Sequence, residues 1–164
     1  LFLDGKNPER VLHEVEWITI FFFIGLFVLV GGLEHVGAIN WAAERMLELT
    51  GGDFKFTSIL ILWGAAIFSA FVDNIPFVAT MIPLVEQMDG VFAQGLEPIW
   101  WSLALGACLG GNGTLVGASA NLVVAGMAEK AGYKIKFIEF MKVGLFIMFI
   151  TVAMAQVYLW IKFY

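Results

Sequence analysis

Charge is what this sequence is short of. Asp, Glu, Lys and Arg make up 14% of its 164 residues, where a soluble domain carries about 25%. Cysteine is nearly absent: Cys108 stands alone, so neither an internal disulfide framework nor a multi-cysteine metal site can be built, and a lone thiol in an apolar run reads as a small packing residue. No basic patch with interleaved aromatics is present, which argues against nucleic acid as a partner. A Ser/His/Asp set and a His/Cys/carboxylate cluster are also missing, so hydrolytic and metal-dependent enzyme chemistry have no obvious residues, and no cofactor is expected. The opening Leu1-Phe2-Leu3-Asp4 lacks both a methionine and a basic segment ahead of an apolar core. It therefore does not read as a cleavable signal peptide, and a longer protein cut upstream is the expectation.

What fills the space is apolar: 60% of the residues are hydrophobic and the mean hydropathy is +0.88. This balance points to an all-α integral membrane protein. Residues 17–33 contain no charge and approach the length needed to cross a hydrocarbon core, with Trp17 at the interfacial edge. Residues 37–50 alternate apolar positions with Glu44, Arg45 and Glu48, predicting an amphipathic helix along the interface. Residues 57–88 hold two short apolar limbs around Asp73-Asn74-Ile75-Pro76, which predicts a re-entrant helical hairpin. Residues 99–128 read as a broken helix interrupted at Gly110 to Gly117, and residues 143–161 as a final span.

With that topology, Lys6, Arg10, Lys130, Lys134, Lys136 and Lys142 share one side, and Arg45, Lys55 and Lys162 the other. Positive residues favour the cytoplasm, so residues 1–16 and 129–142 are expected there, with the hairpin entering from outside.

The two interruptions carry the chemistry. Non-helical backbone at membrane depth persists only where it is buried in protein or lines a hydrated cavity. Carbonyls at the end of a first half-helix suit a cation, and amides at the start of a second suit an anion or polar solute. Asn112, Thr114, Ser119 and Asn121 add neutral ligands, and the glycines, Gly111 and Gly113 among them, would let a solute approach the backbone. Other uses stay open at this point. Gly110 to Gly117 could be a tight connection between ordinary spans. Asp73 could cap the second limb or serve a sodium or proton site, Ser119 could cap a helix, and Thr80 could bond back within its own helix. A loose dinucleotide-type glycine pattern at Gly111 to Gly117 is set aside, because the uncharged runs do not belong in a soluble sheet fold and no lysine follows the glycines.

The run Asp73-Asn74-Ile75-Pro76-Phe77-Val78-Ala79-Thr80-Met81-Ile82-Pro83, followed by Gly110-Gly111-Asn112-Gly113-Thr114-Leu115-Val116-Gly117-Ala118-Ser119-Ala120-Asn121 and then by Gly126 to Tyr133, resembles the ion transporter superfamily. The nearest branch is that of arsenite permeases, sodium/proton antiporters and the melanosomal P protein, and the similarity extends from about His13 to the end. The resemblance implies the C-terminal half of an inverted-repeat transporter, with Asp73, Asn74 and Pro76 at the hairpin tip and Asn112, Gly113, Thr114, Ser119 and Asn121 at the broken helix. Thr80 and Gly111 complete the candidate set, and a sodium ion is placed near Asp73, Asn74, Asn112 and Thr114. Dicarboxylate/sodium symporters of the superfamily carry Ser-Asn-Thr at their tips, so their specificity does not transfer to this Asp-Asn-Ile-Pro tip.

The expected function is secondary active transport of small ions by alternating access: inorganic or organic anions, or sodium in exchange for protons. An ion channel or a non-transporting membrane subunit on the same fold is the alternative. Expected partners are the small ion substrate, the lipid bilayer, the missing N-terminal repeat and a second copy in a homodimer, within a plasma or inner membrane.

Overall fold

The structure, a computed structural model, describes residues 17–93 and 95–164. The expectation for residues 1–16 lies outside the described residues. Every regular element among those described is an α-helix. Helix α1 (Trp17–His35) has 19 residues, roughly 28 Å at about 1.5 Å per residue. Gly37 ends its run in a left-handed conformation, φ 75°, which glycine adopts without a steric penalty. The chain bends by 67° there into α2 (Ala38–Thr50). This helix buries Ile39, Ala43 and Thr50 and leaves Glu44, Arg45 and Glu48 exposed, so its polar stripe faces away from the protein.

Asp53 starts α3 (Phe54–Ser69): its carboxylate accepts the Phe56 N–H at 2.7 Å, filling one of the unpaired donors of the first turn. Helices α4 (Asn74–Glu86), α5 (Glu97–Gly110), α6 (Ser119–Lys130) and α7 (Phe137–Phe163) follow. Among the described residues α7 alone is long and apolar enough to cross a membrane by itself; the pair Ile24–His35 and Ala38–Thr50 passes only if counted as one bent span.

The centre of the fold is the pair α3 and α5, which run parallel. Ser58 meets Ser102, Oγ to Oγ at 2.6 Å; Gly106 lies against the Leu62 carbonyl and Gly110 against Ala66; the Thr114 hydroxyl donates to the Ala70 carbonyl. Each contact advances four residues on both helices, and the polar pairs at its two ends share the same sequence separation of 44. Small residues at Gly106 and Gly110 let the two backbones come close, the arrangement that membrane helices use in place of a hydrophobic drive between them. The pattern Gly-x-x-x-Gly at 106–110 signals this pairing in the sequence and goes beyond the expectations above.

Parallel pairing sets the ends of the molecule. At one end Phe54, which opens α3, has ring contacts with Phe92 (5.1 Å) and Tyr164 (5.6 Å), and the Lys162 ammonium sits 4.9 Å from the Trp101 ring centre. Helices α3 and α5 therefore begin where α4 and α7 finish. Helix α3 has 16 residues, roughly 24 Å, shorter than a hydrocarbon core of about 30 Å, and α4 carries the chain back to its starting end. Helix α7 runs antiparallel to α3, with Trp63 Nε1 donating to Gln156 Oε1 at 2.7 Å. Its outer side exposes Phe146, Phe149, Met154, Val157 and Ile161, as expected of a surface facing lipid.

Candidate functional site

Both interruptions sit together at the far end of the α3–α5 pair. Asp73 occupies the break between α3 and α4. Its Oδ1 accepts the Ile75 N–H at 3.1 Å, capping α4. Its Oδ2 accepts the Ser119 N–H at 2.9 Å and the Ser119 hydroxyl at 2.5 Å, and Ser119 is the first residue of α6. One carboxylate thus closes the starts of two helices, each of which presents unpaired N–H groups and the positive end of its dipole. Pro76 falls in the first turn of α4, where its missing N–H removes no helical bond.

The loop 111–118 is held by side chains, not left open. Thr114 is fully buried; besides donating to Ala70 it accepts the Val116 N–H at 3.3 Å. Asn121 reaches back from α6, and its Nδ2 donates to the Gly111 carbonyl at 2.9 Å and the Thr114 carbonyl at 3.0 Å. Ser69 Oγ donates to the Ala107 carbonyl at 2.7 Å. Carbonyls that a helix end would orphan in an apolar setting are in this way paired within the protein.

The glycines serve packing where a solute was expected to approach. A methyl group at Gly117 would meet the Gly111, Ala70 and Ser69 carbonyl oxygens at 2.8, 2.9 and 3.0 Å, and one at Gly113 would meet Ala70 Cβ and Met148 Sδ at 2.9 Å. Protein already occupies that space. Gly144 of α7 presses in the same way on the Asn112 and Gly113 carbonyls.

The remaining candidates point apart. Asn74 lines a cavity of about 660 Å³ between α1 and α4, with Phe27, Val30, Glu34, Val78 and Cys108. Asn112 is exposed and lines a different cavity, of about 530 Å³, with Lys134, Glu139 and Gly144. The residues expected around a sodium ion are thereby distributed: Thr114 is bonded inside the protein, and Asn74 and Asn112 open to separate cavities. No group of three or more His, Cys, Asp or Glu among the described residues could hold a metal ion. Cys108 is exposed, not a buried packing residue as expected, and shares the cavity of Asn74. Glu34 was not foreseen as a site residue; a lone carboxylate near the end of an apolar run was its signal.

Thr80 donates its hydroxyl to the Phe77 carbonyl, 2.7 Å away in its own helix. Thr80→Val, which keeps the shape and loses this local bond, should leave the unfolding midpoint of the detergent-solubilised protein close to the parent's, since such back-bonds contribute little to a helix. A clearly lowered midpoint would show instead that the hydroxyl has a second partner.

A family profile described as "Citrate transporter" matches residues 1–106. The chain is 42% identical, over its whole length, to an uncharacterized transporter of Mycobacterium tuberculosis, of which it covers 39%. It is 42% identical to the P protein of Mus musculus over 97% of the chain, which is 20% of that protein. With the 46 kDa membrane protein of Mycobacterium leprae it shares 42% identity over 99% of the chain and 38% of the relative. The chain thus spans about two fifths or less of the relatives named here. No solved structure matches it.

Proposed function

The chain belongs to the citrate transporter family, and from that premise we propose that it is the C-terminal repeat of a secondary active transporter that moves a small ion by alternating access. Helices α3 and α4 form the re-entrant hairpin, and α5 and α6 form the broken helix. The observation that supports this most is the Asp73–Ser119 contact, which brings the two breaks together. Discontinuous helices that meet within the bilayer are where transporters of this kind hold solute and coupling ion. Asn74 and Asn112 supply amides toward the two cavities beside the breaks. Sodium or a proton is the coupling ion, and the solute is an inorganic or organic anion, or sodium itself in exchange for protons.

Helix α7 belongs with the moving part in this reading. Gly144 and Met148 are packed directly on the loop 111–118, and Met148 and Val152 share a core with Leu62, Ala66 and Ala70. Surfaces locked this closely do not slide past one another. Helices α1 and α2 remain as the local scaffold, to which an N-terminal repeat and a second copy in a homodimer would add. The segment 129–142 then faces the cytoplasm, together with residues 1–16, and the α3 and α5 starts face the outside of a plasma or inner membrane.

The full-length protein in proteoliposomes tests the proposal. Accumulation of a labelled ion against its gradient, driven by sodium or protons, is the expected result, together with counterflow of trapped for external solute. Flux without counterflow would mean a channel, and neither flux nor exchange across a panel of carboxylates, arsenite, chloride and sodium would mean a non-transporting subunit.

A further inference from the structure

Helix α6 packs against no other helix among the described residues, and none of its residues is buried. Its orientation depends on a few polar attachments at its first turn. Asn121 ties that turn to the loop just before it, which is a local link. The link to another helical segment is Asp73, through the N–H and hydroxyl of Ser119.

Asp73 is committed in a particular way. An ionised carboxylate has about four acceptor positions. Here one oxygen is held by the start of α4 and the other twice by the start of α6. A carboxylate divided like this fixes the two helix starts relative to each other. Beneath it the seam is closed: Thr114 bonds to Ala70, and the Cα position of Gly117 lies so near the Ser69 and Ala70 carbonyls that a methyl group there would fall within 3.0 and 2.9 Å of them. The seam therefore fixes the loop up to Gly117 against the end of α3, and the bonds to Asp73 carry that attachment on to α6.

We propose that Asp73 is a positioning residue, a latch that holds α6 to the hairpin tip, stays closed as α3 to α7 move together, and does not itself carry the coupling ion. This rests on the transport reading above. The ion and solute then depend on Asn74, Asn112 and groups outside this segment, and Asp73 acts through the helix start it holds.

The test uses the full-length protein in proteoliposomes, with its cysteines, Cys108 included, replaced. The double variant Asp73→Cys with Ser119→Cys loses the hydrogen-bonded latch, and oxidation rebuilds it as a disulfide. Counterflow by the reduced variant should fall about tenfold, the size of a lost charge-assisted hydrogen bond expressed as a rate, and oxidation should raise it again. A disulfide that forms and lowers counterflow would show that the contact opens in each cycle and would overturn the proposal, as would failure of the pair to cross-link under oxidant. A second variant, Asp73→Asn, should slow turnover while keeping the ratio of coupling ion to solute. Exchange that persists with a changed ratio, or without ion dependence, would make Asp73 the ion carrier. Should the parent protein show no counterflow at all, the transport reading fails, and cross-linking yield in native membranes still reports whether the latch is closed.

Discussion

Gly110→Val should remove most of the folded protein from the membrane, and Gly110→Ala should already weaken it measurably. The α carbon of Gly110 lies so near α3 that a methyl group would meet the Ala66 α carbon at 2.6 Å and its carbonyl carbon at 2.9 Å. Carbon atoms prefer about 3.5–4.0 Å, so the helices would have to part by about an ångström. The obstacle is backbone and cannot rotate away. Parting α3 from α5 also pulls apart the buried Ser58–Ser102 bond and the Ser69–Ala107 bond at either side of the seam. Overpacking in a close-packed core costs about 1–3 kcal/mol, and each hydrogen bond lost to an apolar setting adds about 1–3 kcal/mol where a group is left unpaired. Thermal unfolding in detergent should show a lowered midpoint for the alanine variant and little recoverable protein for the valine variant. Gly126→Ala is the control. That glycine lies in α6 with nothing within 4 Å of an added methyl group, so its midpoint should hold or rise, as glycine is the weaker helix former. Equal midpoints for Gly110→Ala and Gly126→Ala would refute the close seam.

Asn121→Leu should cost both stability and transport. The two side chains are similar in size, so the change is chemical. Two Nδ2–H bonds disappear, and the Gly111 and Thr114 carbonyls lose those donors. The Thr114 carbonyl keeps the Gly117 N–H at 3.3 Å, but a buried carbonyl left unpaired, as at Gly111, costs about 1–3 kcal/mol, and the break between α5 and α6 would relax to find other partners. Because α6 packs against no other helix among the described residues, a small shift at its first turn is carried along the helix. Uptake by the full-length variant should fall more than about tenfold, since misplacement of a binding group by an ångström can have that effect. A variant with the parent's unfolding midpoint and full uptake would remove Asn121 from both roles.

These two residues also show where reading the chain alone runs out. Gly110 and Asn121 were both recognisable as unusual for a helix in hydrocarbon, one lacking a side chain and the other carrying a polar amide. What they touch was not recognisable. Gly110 was grouped with glycines that open the backbone to a solute, whereas its neighbour is Ala66, more than forty positions earlier in the chain. Asn121 was grouped with solute ligands, whereas both its amide hydrogens go to backbone carbonyls of the preceding loop. The candidate set is distributed for the same reason: residue type and depth place Asn74 and Asn112 at breaks, but side-chain direction sends them to separate cavities.

The all-helical, membrane-embedded character follows from the sequence by itself, because uncharged runs near bilayer length leave the backbone no partners except its own. The positions of interruption follow too, since proline and clustered glycines break helical bonding wherever they stand. Tertiary structure decided that α3 and α5 lie parallel in a four-residue register and that Asp73 reaches Ser119. Those features depend on which surfaces can approach most closely and which orphaned N–H and carbonyl groups then come within bonding distance. Pairings of that kind join residues 44 and 46 positions apart; Gly-x-x-x-Gly at 106–110 marks α5 as a close-packing surface, but no local pattern along the chain names its partner or the register.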